Sequence, residues 1–412
     1  MTQTYDLGII GGGPAGYTAA LHASAKGLKV ILFEKENIGG VCLNKGCIPT
    51  KSIMHSGEMF YKYKNAQTFG LNLNEVSYDW GKIIEHKNNV VENLRKGIEL
   101  ALKNAKVEII PKEANILDSK TIQAGECTYQ CKKIICAIGS SPKAIEGLEF
   151  DHKFILSSDD ILALEHLPKS ILIIGSGAIG IEWARIMSNF GVETTIVEFA
   201  PHLLPAADIE VSKRIERIFK SRGIKFYTQT SVEKIDNEKI ILSNGETVEV
   251  EKILAAVGRV PNTFEKIDGV RYIGDVAGEI QLAHYAIKQA IEETDGIKFE
   301  KTLIPFVVYG SPEIAWAGLR EQDLEPDTYK KAFILTSALG KAHCDGETEG
   351  FIKILSKDNK IVGVHIVSKE ASALVQQILI AIQNGISADK LKEVCYPHPT
   401  FSEGIFDALL KL

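Results

Sequence analysis

The chain has 412 residues, 45% hydrophobic and 24% charged, the balance of an ordinary globular protein with room for two or three domains. Its formal net charge of -6 argues against nucleic acid or an anionic membrane surface as the main partner. No apolar run reaches the ~18 residues that would cross a bilayer, and no targeting segment precedes the first strand. A cytoplasmic protein without membrane insertion is expected.

The first element is the apolar strand Leu7 to Ile10, followed by Gly11-Gly12-Gly13-Pro14-Ala15-Gly16, a helical stretch, and Val30-Ile31-Leu32-Phe33-Glu34. This is the glycine fingerprint of a dinucleotide site. The first glycine (Gly11) permits the tight turn, the second (Gly13) lets backbone approach a pyrophosphate, and the third (Gly16) lets helix and strand pack closely. The helix N-terminus then faces the negative charge, and Glu34 accepts from ribose hydroxyls.

Next comes Gly39-Gly40-Val41-Cys42-Leu43-Asn44-Lys45-Gly46-Cys47-Ile48-Pro49-Thr50-Lys51. Two cysteines placed where a dinucleotide would lie read as a redox pair, and a cation such as Lys51 favours a thiolate. The alternative, two ordinary buried thiols, fits poorly between so many glycines. Seven cysteines are present in all, and the other five (Cys127, Cys131, Cys136, Cys344, Cys395) have no metal-binding spacing. Residues 53 to 105 carry apolar side chains at helical spacing, through Val90, Val91, Leu94, Ile98 and Leu102. A strand, Lys133 to Ala137, then runs into Gly139-Ser140.

The opening pattern recurs as Ile171 to Ile174, then Gly175-Ser176-Gly177-Ala178-Ile179-Gly180, a helix, and Thr194-Thr195-Ile196-Val197-Glu198. In both copies the glutamate falls 23 residues after the first glycine. One fingerprint is a weak signal; two in register are a strong one, and they imply two dinucleotides. A carboxylate at Glu198 would repel a 2′-phosphate, which favours NAD over NADP in the second copy. Glu182, beside apolar Ile181 and Trp183, lies on a partly buried turn where a lone carboxylate would be costly. Beyond the strand Ile253 to Val257 and the loop Gly258 to Asn262, the run Tyr272-Ile273-Gly274-Asp275 should return the chain to the first domain. From Pro305 onward, strand-like runs and the apolar stretch Ala373 to Ile382 suggest an α+β domain without a nucleotide fingerprint. His284 reads as structural, and His202, His343 and His365 have no partner pattern.

From Asp6 to Glu403 the chain resembles the flavoprotein disulfide reductases. The resemblance rests above all on Gly39 to Lys51 and on His398-Pro399-Thr400-Phe401-Ser402-Glu403. The cysteine segment is similar to that of lipoamide-acting members. Glutathione-acting members carry Val-rich variants and an NADP site, and mercuric reductases end in a cysteine pair that this chain lacks. The implied fold is α/β, with two Rossmann-like domains and a C-terminal α+β dimerisation domain. The implied boundaries are 1–145 with 270–304 for FAD, 146–269 for NAD, and 305–412 for dimerisation.

The resemblance implies that FAD lies against Gly11, Gly13, Gly16, Glu34, Lys51, Ala114, Gly139, Gly274, Asp275 and Ala283. NAD would lie against Gly175, Gly177, Ala178, Ile179, Gly180, Glu182, Glu198, Val232 and Gly258. Glu182 would pair with Lys51 beside the flavin. Cys42 would meet the substrate, Cys47 would exchange electrons with the flavin, and His398, oriented by Glu403 and joined to Pro399 by a cis bond, would be acid and base for the partner subunit's disulfide. The implied activity is oxidation, with NAD, of dihydrolipoyl groups on a carrier protein of a 2-oxo acid dehydrogenase or related complex, by a homodimer. Two alternatives stay open: an NADH-driven reductase of another disulfide, and a complex-anchoring subunit with weak turnover. Three departures bear on substrate: a trimmed path from Asn262 to Tyr272, Tyr396 in place of a common His, and a C-terminus nine residues after Glu403.

Overall fold

The computed structural model describes residues 4–73, 75–236, 239–263 and 265–412. Strand Thr4–Ile10 runs parallel to Val30–Phe33, with Leu7 opposite Val30. Both strands are rich in apolar residues because both faces of the sheet are covered, one by helices (Ala15, Ala19, Leu102, Ala290) and the other by later strands (Ala114, Ile116, Ile122, Ala124). Helix α1 (Pro14–Ala25) starts on Pro14, whose fixed φ suits a first turn, and buries Ala15, Ala19, Ala20 and Ala23. Strand Glu108–Ile110 extends the sheet beyond Val30–Phe33; Cys127–Cys136 and then Val270–Tyr272 extend it on the other side, all parallel. Strands Ala114–Asp118 and Thr121–Ala124 add an antiparallel meander to Cys127–Cys136.

Three helices follow the first βαβ unit: α2 (Gly40–Lys45), α3 (Cys47–Lys64) and α4 (Trp80–Asn104). The helical reading of 53 to 105 is therefore interrupted. A short 3-10 turn at Ala66–Phe69 ends on Gly70 at φ +77°, and α4 restarts where the Asp79 carboxylate accepts from the Lys82 N–H at 3.1 Å. Apolar periodicity does not register such a break, because apolar residues such as Phe69, Leu71 and Leu73 continue through it although they are exposed.

The second unit repeats the plan of the first. Strands Lys225–Tyr227, Glu193–Val197, Ser170–Ile174, Lys252–Ala255 and Ile155–Leu156 form a parallel sheet in that order. Helix α5 (Ala178–Asn189) follows the glycine loop, α6 (Ile209–Ser221) follows the second strand, and a three-stranded meander starts at Val232. The duplication thus extends past the fingerprints to sheet order and meander. After Asn262 the short path still places Val270–Tyr272 on the first sheet, and α7 (Ala283–Asp295) packs on α1.

The C-terminal part is an antiparallel sheet, Phe306–Val308, Glu313–Gly318, Lys360–Ser368, Phe351–Lys357 and Lys330–Leu335, with α8 (Gly340–Asp345), α9 (Ala371–Gln383), α10 (Ala388–Lys392) and α11 (Glu403–Leu410). Helix α9 spends most of its apolar face within the chain, burying Leu374, Val375, Ile378 and Leu379 against the sheet and leaving Ile380 half exposed. One apolar cluster joins all three parts, running from Ile53 and Phe60 of α3 through Trp183 and Met187 of α5 to Trp316 and Phe351. A buried ionic contact reinforces it. Asp208 caps α6 by accepting from the Glu210 N–H (3.0 Å) and also accepts from Lys353 Nζ (2.7 and 2.9 Å) and the Glu321 N–H (2.9 Å). No helix among the described residues is long and apolar enough to cross a membrane.

Candidate active site

Cys42 sits in α2, and Cys47 is the first residue of α3. Between them Gly46 adopts φ -150° and ψ -110°, so the helix breaks and turns the two thiols toward each other. They form a disulfide, with Cα atoms 4.7 Å apart, inside the range that bond geometry allows. Two contacts seat the pair. The Asn44 amide donates to the Ile38 (3.1 Å) and Gly40 (2.9 Å) carbonyls. Gly40, at φ +59°, lies so close to the fingerprint loop that a Cβ there would stand 2.6 Å from the Gly13 Cα. The cysteine segment therefore touches the first glycine loop directly.

One turn beyond Cys47, Lys51 donates to both oxygens of Glu182, at 2.7 and 2.9 Å. Glu182 also accepts from the Tyr309 N–H at 3.1 Å, and Lys51 Nζ lies 4.8 Å from the centre of the Tyr309 ring. The buried Glu182 carboxylate is thus satisfied, as burial of a charge requires. Sequence reasoning paired Lys51 with Glu182 but had no signal for Tyr309.

The glycine loops suit two dinucleotides. Gly13 and Gly177 stand at the N-caps of α1 and α5 without any side-chain cap, so the first-turn N–H groups are left for a ligand. A Cβ on Gly16 would collide with the Gly11 carbonyl and one on Gly180 with the Gly175 carbonyl, while open space surrounds Gly177, Gly139 and Gly258. Gly11 and Gly175 adopt φ +99° and +95°, a region that favours glycine. Glu34 Oε2 accepts from the Gly12 N–H (2.7 Å) and Oε1 from the Glu36 N–H (2.8 Å). Beside it lies a cleft of about 520 Å³, floored by Ile38, Val107 and Ile109 and rimmed by Lys103 and Lys106. Glu198 repeats the arrangement, its Oε2 held by the Ser176 N–H (2.8 Å) and its Oε1 by the Ala200 N–H (2.8 Å).

The remaining candidates fall at the same edges. Gly139, at φ +74°, follows Cys127–Cys136, and Ala114 opens the meander, entered next to Glu34 through a Lys35–Glu113 ion pair. Gly274 and Asp275 begin a 3-10 turn, and Ala283 begins α7. Asp275 Oδ2 accepts from Ser140 Oγ at 2.6 Å, and Arg259 donates through Nε to Ser140 Oγ (2.8 Å) and through Nη2 to its carbonyl (2.6 Å). That Arg259–Ser140–Asp275 chain was not read from sequence, although Gly258-Arg259 and Gly139-Ser140 had marked both loops. Ala178 and Ile179 open α5, Val232 opens the second meander, and Gly258, at φ +108°, follows Lys252–Ala255.

His398 stands apart. Its Nδ1 lies 2.7 Å from Glu403 Oε1, while Glu403 Oε2 accepts from the Thr400 N–H (2.8 Å). The hydrogen bond from His398, with that from Thr400, holds the Glu403 carboxyl below the ordinary carboxylate range. An ionised Glu403 accepts a hydrogen bond from Nδ1–H of the imidazole and leaves Nε2 free. The His398 side chain is 77% exposed, and α11, which begins at Glu403, packs on α10 and two strands of the C-terminal sheet. The His398–Pro399 bond is cis. Within one chain no hydrogen bond joins this imidazole to the cysteine pair among the described residues. His284 donates from Nε2 to the Pro305 carbonyl (2.9 Å) and reads as structural. His365 is less bland than its sequence context suggested: it is fully buried, 3.8 Å from Asp208 Oδ2.

Two glycine-loop units, a disulfide seated against the first and a C-terminal antiparallel domain define a flavin- and nicotinamide-dependent disulfide oxidoreductase. The chain belongs to the pyridine nucleotide-disulphide oxidoreductases: that family matches residues 5–272, and its dimerisation domain matches residues 304–409. Dihydrolipoyl dehydrogenases, one branch of this family, use FAD and NAD. The chain is 34% identical to the dihydrolipoyl dehydrogenase of Bacillus subtilis, over all of this chain and 98% of that protein. It is 33% identical to the dihydrolipoyl dehydrogenase of Mycoplasma genitalium (99% and 98%) and to the leghemoglobin reductase of Vigna unguiculata (98% and 87%). The Bacillus alignment runs over 465 positions against 412 residues here, so the relative carries segments that this chain omits. In fold it is similar to LpdA of Mycobacterium tuberculosis (TM-score 0.89, 22% identity, 98% of each chain) and to the disulfide reductase RclA of Escherichia coli (0.87, 22%, 98% and 99%).

Proposed function

We propose that this protein is a dihydrolipoyl dehydrogenase, a homodimer that oxidises dihydrolipoyl groups on a carrier protein of a 2-oxo acid dehydrogenase or related complex. The observation that carries the reading is the Cys42–Cys47 disulfide at the break between α2 and α3, seated against the Gly11–Gly16 loop and one turn from Lys51. FAD would be held by the first loop, Glu34, Lys51 and Asp275, and NAD by the second loop and Glu198. When bound, FAD supplies two-electron transfer between the reduced cysteine pair and the nicotinamide.

The chain's own groups handle thiols and protons. His398 Nε2 of one subunit removes a proton from the substrate dithiol, and the thiolate attacks Cys42 Sγ of the other. The Cys42–Cys47 bond breaks, leaving a mixed disulfide on Cys42 and a thiolate on Cys47. Once His398 has passed the first proton to solvent it takes the proton of the second substrate thiol, whose sulfur closes the lipoyl disulfide and releases Cys42 as a thiolate. Glu403 steadies the imidazolium throughout, the part a carboxylate plays in nucleophile–base–orienter systems. Two protons leave, and two electrons stay on the cysteine pair.

A second reading, an NADH-driven reductase of another disulfide, draws on Tyr396, whose ring lies 5.2 Å from that of Phe406 beside the His398 loop, a place where lipoamide-acting members commonly carry His. One experiment separates the two. Purified flavoprotein is assayed for NAD-linked turnover of free dihydrolipoamide and for NADH-linked reduction of other disulfides, with the spectrum followed during dithiol titration. Fast dihydrolipoamide turnover and a long-wavelength thiolate-to-flavin band are expected. Faster turnover of another disulfide would move the assignment to the second reading.

A further inference from the structure

The two acidic anchors differ in one donor. Glu34 and Glu198 share the same backbone pattern, with one N–H from the glycine loop on Oε2 and one from two residues downstream on Oε1. At Glu198 a third donor joins: Ser176 Oγ, 2.6 Å from Oε2. Ser176 is fully buried, and its hydroxyl accepts in turn from the Leu204 N–H at 3.1 Å. Position 12 of the first loop is a glycine and has no such donor, and a side chain there would have to displace the end of Ile38. A Cβ there would stand 2.8 Å from Ile38 Cδ1 and 3.1 Å from Glu34 Oε2.

We propose that the Ser176 hydroxyl is a positioning residue that determines nucleotide specificity, locking the Glu198 carboxylate where a 2′-phosphate would have to sit. The inference rests on the reading of the second unit as the NAD site. A carboxylate has about four acceptor positions. At Glu34 two remain for ribose hydroxyls; at Glu198 three are taken, and one remains. The third bond is buried and charge-assisted, so swinging the carboxylate aside would break three hydrogen bonds rather than two. The stretch from Glu198 to Leu204 contains no Lys or Arg, and His202 there lies 3.2 Å from Glu216. That stretch offers no cation to a 2′-phosphate, so its rejection there depends on Glu198 staying in place.

The test uses the oxidised, FAD-loaded dimer, titrated calorimetrically with NAD and with NADP. Ser176→Ala removes the hydroxyl and keeps the Cβ; Ser176→Gly reproduces the first loop. The wild-type protein should bind NAD well and NADP far more weakly. In both variants the ratio of the two dissociation constants should fall by on the order of tenfold, mainly through tighter NADP binding. In turnover, the KM ratio for the two nucleotides should move with it while the kcat ratio does not. Melting temperature and flavin content report folding separately, and the alanine variant stands in should the glycine variant be unstable. An unchanged ratio in a folded Ser176→Ala protein would overturn the proposal. So would a shift confined to the glycine variant, since backbone freedom would then be the cause. A wild-type protein that does not discriminate at all would defeat the NAD reading itself and the proposal with it.

Discussion

Lys51 Nζ lies between the two oxygens of Glu182, 2.9 and 2.7 Å away, although 131 positions separate the residues. The pair ties α3, the helix that begins at Cys47, to α5, the helix that follows the second glycine loop. It lies on the route between the two cofactor loops and is shielded by Tyr309, whose N–H adds a third hydrogen bond to the carboxylate. A cation held there by a buried anion stabilises negative charge arriving from either side.

Replacing Glu182 with Gln keeps the size and the acceptor for Tyr309 but leaves Lys51 facing a neutral amide. Reduction of the flavin by NADH should slow about 10- to 100-fold, the equivalent of one charge-assisted hydrogen bond of ~1.5–3 kcal/mol. Rapid-mixing absorbance in the flavin band measures it. An unaltered rate would remove Glu182 from the electron path.

Cys42→Ser and Cys47→Ser should each reduce dihydrolipoamide turnover by more than roughly 10³-fold, because residues that act as one unit fail together. Oxidation of NADH by a one-electron dye bypasses the thiols and should persist in both variants. Assays of the two activities side by side decide the point; loss of both together would indicate a damaged flavin site instead.

Mixing a Cys42→Ser chain with a His398→Ala chain addresses the origin of the base. If the imidazole of one subunit serves the disulfide of the other, random exchange should restore roughly a quarter of wild-type sites, since mixed dimers each carry one intact site. Activity after subunit exchange, with heterodimers confirmed by mass, is the readout. Recovery of none would show that each site is built within a single chain.

Burial holds the His365 imidazole down to about 4; Asp208 pulls the other way and is outweighed. A base with a depressed pKa stays neutral in the folded chain while the unfolded chain takes up a proton. Its contribution to stability is therefore complete above pH ~6.5 and is lost as pH falls toward ~4, by up to roughly 3 kcal/mol. Melting temperatures between those limits should decline less steeply in His365→Gln than in the wild type. Parallel curves would mean that other groups set the acid limb.

Gly180→Ala should weaken NAD binding more than about tenfold while leaving the flavin in place, because the added methyl meets the Gly175 carbonyl in the second loop alone. Flavin absorbance per chain and NAD titration give the two numbers. Loss of flavin with the nucleotide would show that the two units do not behave independently.

Much of this site can be read from the chain because its parts are local. A glycine at φ +99° or +95°, a helix started without a side-chain cap, and a glutamate 23 residues on are consequences of a single βαβ unit, and such units recur with fixed spacing. The cysteine pair is local too: one glycine break brings Cys42 and Cys47 within bonding reach whatever surrounds them. The His398–Glu403 pair spans five residues around a turn. The break between α3 and α4 was less visible, since apolar residues continue through it (Phe69, Leu71, Leu73, Tyr78) although the fold leaves them exposed.

Sequence by itself therefore determined the two glycine loops, the cysteine pair and the His398–Glu403 contact, because each is specified by backbone conformation over a few residues. Tertiary structure alone decided what holds them in relation to one another. The Tyr309 amide on Glu182, the Arg259–Ser140–Asp275 chain and the buried Asp208–Lys353 contact join residues more than 100 positions apart. The Ser176 hydroxyl on Glu198, at 22 positions, belongs with them, because it depends on how strand and loop pack. Polar side chains of these types are usually solvated. Only packing, by removing water from around them, turns each into an obligatory partner for the group it meets.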